Sequence, residues 1–154
     1  MSKSLLQNVY LFKTMNAQEL EIINSIAESQ DVMRGDTIFL NGETATALYL
    51  IKNGSVKIQH SSKEGDSIDV ATLGAGSHFG EMAFVDNAPR SATATTAESS
   101  EIVVIPYVKL FGLLNHHPNI AVKFYRELSH FLATRLRATT SDLSFAKEKN
   151  HAHF

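Results

Sequence analysis

Cysteine is absent from the 154 residues. That excludes a disulfide framework, a thiolate metal site and a thiol nucleophile, and it suits a reducing cytoplasm. Long hydrophobic runs are missing too: no apolar stretch approaches the ~20 residues of a membrane span. The opening MSKSLLQNVYLFKTMNAQEL has no apolar segment ending in small residues like that of a secretory signal. A cytoplasmic location without membrane association is therefore expected. Nor does charge of one sign dominate, with 14 basic against 16 acidic side chains and a net charge of −2. No overall field pulls the chain onto nucleic acid or anionic lipid, so any phosphate recognition must be local. The length fits one domain, 1–154, with no internal repeat or low-complexity segment.

What is present divides into three zones. From Asn16, NAQELEIINSIAE combines an N-cap asparagine with Glu19 three residues on, and places Leu20, Ile23, Ile26 and Ala27 on one helical face. Between about Gln30 and Pro106 come short alternating or apolar runs: DVM, TIFL, ALYLI, SVKIQ, SIDVATL, SATATT and EIVVIP. The turn signals RGD, NGE, NG, KEGD and GAG separate them, predicting strands joined by tight turns in a sandwich or jelly roll. After Pro106 the helical period returns in YVKLFGLLN and again from Pro118, where proline suits a first helical turn. The long helix is expected over about 118–145, with a core over about 10–145 and a frayed polar tail at 146–154. The fold class is thus α+β, mainly β with flanking helices.

One stretch concentrates the chemistry. GAGSHFGEMAF sets three glycines ahead of a short apolar turn, so that backbone N–H groups can approach a ligand. Glu81 is an acceptor suited to a sugar hydroxyl, and Arg90 a planar donor fork matched to phosphate oxygens. Ser91 adds a hydroxyl, and Ala92 leaves its amide accessible. The competing reading is a Glu81–Arg90 ion pair on a barrel rim. The histidines invite a second test, because metal-dependent barrels hold metal with histidines and a carboxylate. His60, His78, His116, His117, His130, His151 and His153 are scattered over a turn, a loop, a helix start and the tail, and share no strand face. No metal, no catalytic residue and no enzyme activity are expected, since neither a nucleophile elbow nor a P-loop is present.

FGEMAF followed by PRSATA resembles the phosphate-binding cassette of the cyclic nucleotide-binding domain, the module of the bacterial catabolite activator protein, cyclic-nucleotide-dependent kinases and gated channels. LFKTMNAQEL is similar to the leading helix of that family, RGDTIFLNGETATALYLIKNGSVKIQ to its first four strands, and EIVVIP to its last. The resemblance implies an eight-stranded antiparallel β-roll with an N-terminal helix, a short cassette helix and two C-terminal helices. It implies a pocket for cAMP or cGMP and no further cofactor. Gly80 and Glu81, after Phe79, would hold the ribose 2′-hydroxyl; Arg90, Ser91 and the Ala92 amide would hold the cyclic phosphate; Met82 and Ala83 would add backbone contacts. Ile58, Val70 and Leu73 are read as core positions, with contact of their tips to sugar or base as the open alternative. Ser91 leans towards cAMP, though its hydroxyl keeps cGMP open. Arg135, with Leu132, Leu136 and Thr139 beside it, is placed near the purine, against the alternative of a solvated arginine. No recognition helix follows before Phe154, so DNA is not an expected partner and output would pass to an unknown effector protein or to a second copy. For a homodimer the seam would be Ile120, Phe124, Leu128, Phe131, Leu132 and Leu136, unless those side chains pack on their own domain. The alternative function is a β-roll interaction module whose pocket is empty or holds another anion.

Overall fold

The structure, a computed structural model, describes the backbone of residues 3–61 and 65–151 and the side chains of 6–61 and 65–142. Its elements run α1 (Lys3–Asn8), a 3-10 turn (Tyr10–Phe12), α2 (Ala17–Asn24), β1 (Glu28–Val32), β2 (Thr37–Phe39), β3 (Ala47–Asn53) and β4 (Ser55–Ser61). They continue with β5 (Ser67–Gly74), β6 (His78–Phe79), α3 (Met82–Asp86), β7 (Thr93–Thr96), β8 (Ser100–Pro106), α4 (Tyr107–His116) and α5 (Pro118–His151). The eight strands form two antiparallel four-stranded sheets in the orders β1-β8-β3-β6 and β2-β7-β4-β5, which is the expected β-roll.

The period of two along β3 and β8 divides the interior. Leu48, Leu50, Val103 and Ile105 face the helices, whereas Ile51 and Ile102 face the opposite sheet with Phe39, Val56, Phe79 and Ala94. Two apolar clusters thus share one wall. The helical cluster reaches nearer the N-terminus than residue 10, since Leu6 and Val9 are fully buried in it. At α2 the capping box forms as read: the Glu19 amide donates to the Asn16 side chain and the Asn16 amide to Glu19, both at 2.9 Å.

Helix α5 continues to His151 rather than ending near 145, so the positions read as a frayed tail are helical up to that residue. Residues 152–154 lie outside the described residues, as do the side chains of His151 and His153, and so do Lys63 and Glu64 of the KEGD turn. The first turns of α5 are consumed by its own domain: Ile120, Phe124 and Leu128 are at most 2% exposed, and Phe124 stacks on Phe12 at 6.1 Å. Only Phe131 and Leu132, partly buried, and Leu136, 67% exposed, remain of the proposed seam. The N-terminal segment fastens this helix at successive turns. Lys123 donates to Glu19 at 2.6 Å, the Lys13 ammonium lies 3.4 Å from Glu127 without hydrogen bonding it, and the Tyr10 hydroxyl meets His130 Nδ1 at 2.8 Å. Among the described residues no helix is long and apolar enough to cross a membrane.

Candidate functional site

Strand β6 is only two residues long because Gly80 follows it with φ +81°, a left-handed conformation that turns the chain into α3. A Cβ on Gly80 would stand 2.7 Å from Arg90 Nη1 and 3.3 Å from the Ala47 carbonyl oxygen, so this glycine also makes room for the arginine. Helix α3 then ends at Asn87, whose φ of +56° and amide bond to the Ala83 carbonyl at 2.9 Å reverse the chain. The return leg is clamped at Arg90 itself. Its amide donates to the Glu43 carbonyl at 2.8 Å, and its carbonyl accepts from the Gly42 amide at 2.7 Å.

The Arg90 side chain, 5% exposed, is held by neutral acceptors. Nη2 donates to the Ala47 carbonyl at 2.7 Å; Nη1 donates to the Gly80 carbonyl at 3.1 Å and to the Tyr107 hydroxyl at 3.2 Å. The Tyr107 hydroxyl in turn donates to the Gly80 carbonyl. Burial raises the Tyr107 and Tyr49 phenols above their ordinary pKa, against the pull of the Arg90 charge, so both keep their protons. The guanidinium lies over the Phe39 ring, 4.1 Å from its centroid. Among the described residues no carboxylate pairs with Arg90, and its Nε has no hydrogen-bond partner.

The rim ion pair between Glu81 and Arg90 therefore does not form. Glu81, 4% exposed, bonds instead to His78 Nδ1 at 2.5 Å. Glu81 stands at the N-cap of α3 yet makes no side-chain cap bond, because its carboxylate turns back to the imidazole. The other described histidines are separate: His60 meets the Ser91 carbonyl at 2.8 Å, His116 the Gly112 carbonyl at 2.8 Å, His117 is the C-cap residue of α4, and His130 meets Tyr10.

These groups enclose a cavity of about 480 Å³, within the usual range for a small-molecule site. Phe79, Gly80, Glu81, Met82 and Ala83 line one side, with Arg90, Ser91 and Ala92 beside them. Ile58, Val70 and Leu73 come from the β4–β5 hairpin, and Arg135 comes from α5. The structure thus brings these twelve predicted residues together, whereas Leu132, Leu136 and Thr139, read as lying beside Arg135, do not line the cavity. Val70 is not core, however. A register shift opposite Ile58 and Gln59 leaves it as the extra residue of a bulge, 55% exposed, whereas Ile58 and Leu73 are half-buried against the inter-sheet cluster.

Sequence reasoning missed Phe39, His60, His78, Asp86 and Phe131 in the lining, and Tyr107 behind Arg90. Only His78 had a local signal, its spacing of three from Glu81. A second hollow of about 390 Å³ includes Asp31, Asp36 and Tyr49 in its lining and has no cationic side chain, so it does not suit an anion.

A profile described as the cyclic nucleotide-binding domain matches residues 29–117. The chain is 37% identical over 117 residues to Cyclic GMP-binding protein C of Dictyostelium discoideum, covering 76% of this chain and 4% of that protein. It is 29% identical over 147 residues to the Cyclic AMP receptor protein of Thermus thermophilus, covering 94% and 66%. The crystal structure of Thermus thermophilus catabolite activator protein superposes with a TM-score of 0.80 at 29% identity, over 90% of this chain and 63% of that one. The chain spans less than two thirds of each of these relatives. Since the profile covers more than half of its residues and the β-roll is reproduced, the chain belongs to the cyclic nucleotide-binding domain family.

Proposed function

We propose that this chain is a cytoplasmic, non-enzymatic receptor for a 3′,5′-cyclic purine mononucleotide, cAMP in preference to cGMP, which signals through α5 to a partner in trans. The observation that carries this reading is Arg90, a buried guanidinium with no carboxylate partner among the described residues, in the wall of a ligand-sized cavity. A buried cation held only by carbonyls and a phenol lacks its counter-charge, and an entering phosphate supplies it. Ser91 and the Ala92 amide follow on the same wall for the phosphate, while Glu81 offers an acceptor for the ribose hydroxyl. The relatives named for cyclic AMP and for cyclic GMP support a cyclic nucleotide and leave the base open. Serine at position 91 favours adenine, and Arg135 of α5 is placed to meet the purine by stacking or edge contact.

Output runs through the part of α5 that its own core does not consume. Phe131 and Arg135 line the cavity, and Leu132 and Leu136 follow on the adjoining surface, where a second copy or an effector protein docks. A ligand shifts the position of this helix only through unequal affinity for two arrangements. Calorimetry on ligand-free protein with cAMP, cGMP, cyclic dinucleotides and AMP tests the reading. A cyclic mononucleotide should bind and stabilise the fold by about 2.7 kcal/mol at one hundred times Kd. Neither binding nor a thermal shift with cAMP or cGMP at millimolar concentration would reject it in favour of an interaction module. Sedimentation with and without nucleotide reads the output step.

A further inference from the structure

We propose that His78 positions Glu81, and that through it helix α5 sets how strongly the site demands a ribose 2′-hydroxyl. This rests on reading the cavity as a cyclic-nucleotide site. The side chains of His78 and Glu81 are 3% and 5% exposed, and Nδ1 and Oε1 are hydrogen-bonded at 2.5 Å. Among the described residues the imidazole alone fixes this carboxylate: Glu81 makes no cap bond to α3, and Arg90 is bonded elsewhere. With Oε1 held, Oε2 has no partner among the described residues and is the acceptor left for a hydroxyl. Held at one oxygen, the carboxylate presents the other at one place; released, it rotates about its terminal torsion, which is broad.

The far edge of the imidazole has no such anchor. His78 Nε2 is buried without a hydrogen-bond partner, and the Phe131 ring packs against His78 with centroids 4.4 Å apart and planes at 58°. Phe131 belongs to α5 and carries the Arg135 guanidinium 5.6 Å from its centroid. The imidazole is therefore held by a hydrogen bond to the ribose acceptor and by an aromatic contact to the helix. A displacement of α5 that withdraws Phe131 loosens His78, and Glu81 with it. Selectivity follows from general physics: a buried polar group aimed at a ligand hydroxyl rejects an analogue lacking it, because the group is then left unpaired.

The test is calorimetry of the full chain with cAMP and 2′-deoxy-cAMP, on the parent, His78→Phe, His78→Asn and Phe131→Ala. His78→Phe should weaken cAMP by about tenfold, the scale of one unheld buried hydrogen bond, and leave 2′-deoxy-cAMP within about twofold. His78→Asn, whose amide can donate from near the Nδ1 position, should recover most of the cAMP affinity. Phe131→Ala should narrow the ratio between the two ligands, as His78→Phe does. Equal losses for both ligands in His78→Phe without recovery in His78→Asn would make His78 mere wall and overturn the proposal. If His78→Phe does not fold, a ratio unchanged in both His78→Asn and Phe131→Ala overturns it, and a ratio kept by His78→Asn but narrowed by Phe131→Ala supports it. A parent that binds neither ligand rejects the cavity reading and this inference together. A parent that binds cAMP, with the ratio constant across the variants, rejects the inference alone.

Discussion

Replacing Arg90 by alanine separates two jobs of one side chain. The structural job is visible in the ladder: β6 pairs with β3 only at Tyr49 and Leu50, so the Ala47 carbonyl lies beyond the end of β6 and takes its hydrogen bond from Arg90 Nη2. Removing that donor leaves a buried acceptor unmet, a cost of about 1–3 kcal/mol. The Gly80 carbonyl keeps its bond from Tyr107, so the loss is confined largely to Ala47. The proposed binding job is larger, because a desolvated phosphate would lose its charge partner, about 2–5 kcal/mol. That corresponds to a fall in cyclic nucleotide affinity of about 30-fold to several thousandfold. The internal bonds also hold the guanidinium in place before binding, so little side-chain entropy offsets its contribution. Urea melts should report the first effect, and calorimetry with cAMP well below the melting temperature the second, with circular dichroism checking the fold. A folded Arg90→Ala protein that binds cAMP within about twofold of the parent would refute the assignment.

Three further outcomes are expected. Gly80→Ala should lower both stability and cyclic nucleotide affinity, since the new Cβ meets Arg90 Nη1 at 2.7 Å, whereas Gly35→Ala, at φ +85° with open space around it, should lower stability alone; paired melts and titrations distinguish them. Phe124→Ala, at a site 1% exposed between Phe12 and Phe84, should destabilise by about 3–5 kcal/mol in urea melts with the slope unchanged. The Lys123 ammonium, followed by the Asn16 amide, holds the Glu19 carboxyl below the usual carboxylate range. A depressed folded-state pKa contributes stability above the unfolded value and loses it as pH falls through the folded one. Glu19→Gln should therefore be less stable than the parent at neutral pH, and urea melts in acid should bring the two together.

The elements read correctly from sequence are those whose cause is local. The Asn16–Glu19 capping box, the turn glycines between strands and Pro118 at a helix start act within a few residues of themselves. Seven of the strand runs were visible by alternation, but β6 was not, because His78 and Phe79 are too few to show a period. Helix α1, six residues with no acidic group in its first turn, gave no start signal and is held instead by burial of Leu6 in the helical cluster. The candidate site follows the same division. Its residue types and order were readable from Phe79 to Ala92. The partners that give them direction, Ala47 and Tyr107 for Arg90 and Phe131 for His78, are far away in the chain and come together only through folding. The bulge at Val70 is of that second kind, for it depends on how β5 registers with β4.

The stitches between α5 and the N-terminal segment restrict how the helix can behave as a moving part. Lys123, Glu127 and His130 fall on one face at intervals of four and three residues, and their partners Glu19, Lys13 and Tyr10 all lie within the stretch from the 3-10 turn to α2, ahead of the first strand. The proximal half of α5 is thus a laced splint rather than a free lever. Two mechanical outcomes are left to it: the splint and the Tyr10–Phe12 segment travel as one rigid piece, or the helix flexes beyond His130, where Phe131 and Arg135 overlook the cavity. In the first case a pull on the cavity reaches the N-terminal segment; in the second it stops within a turn of Phe131.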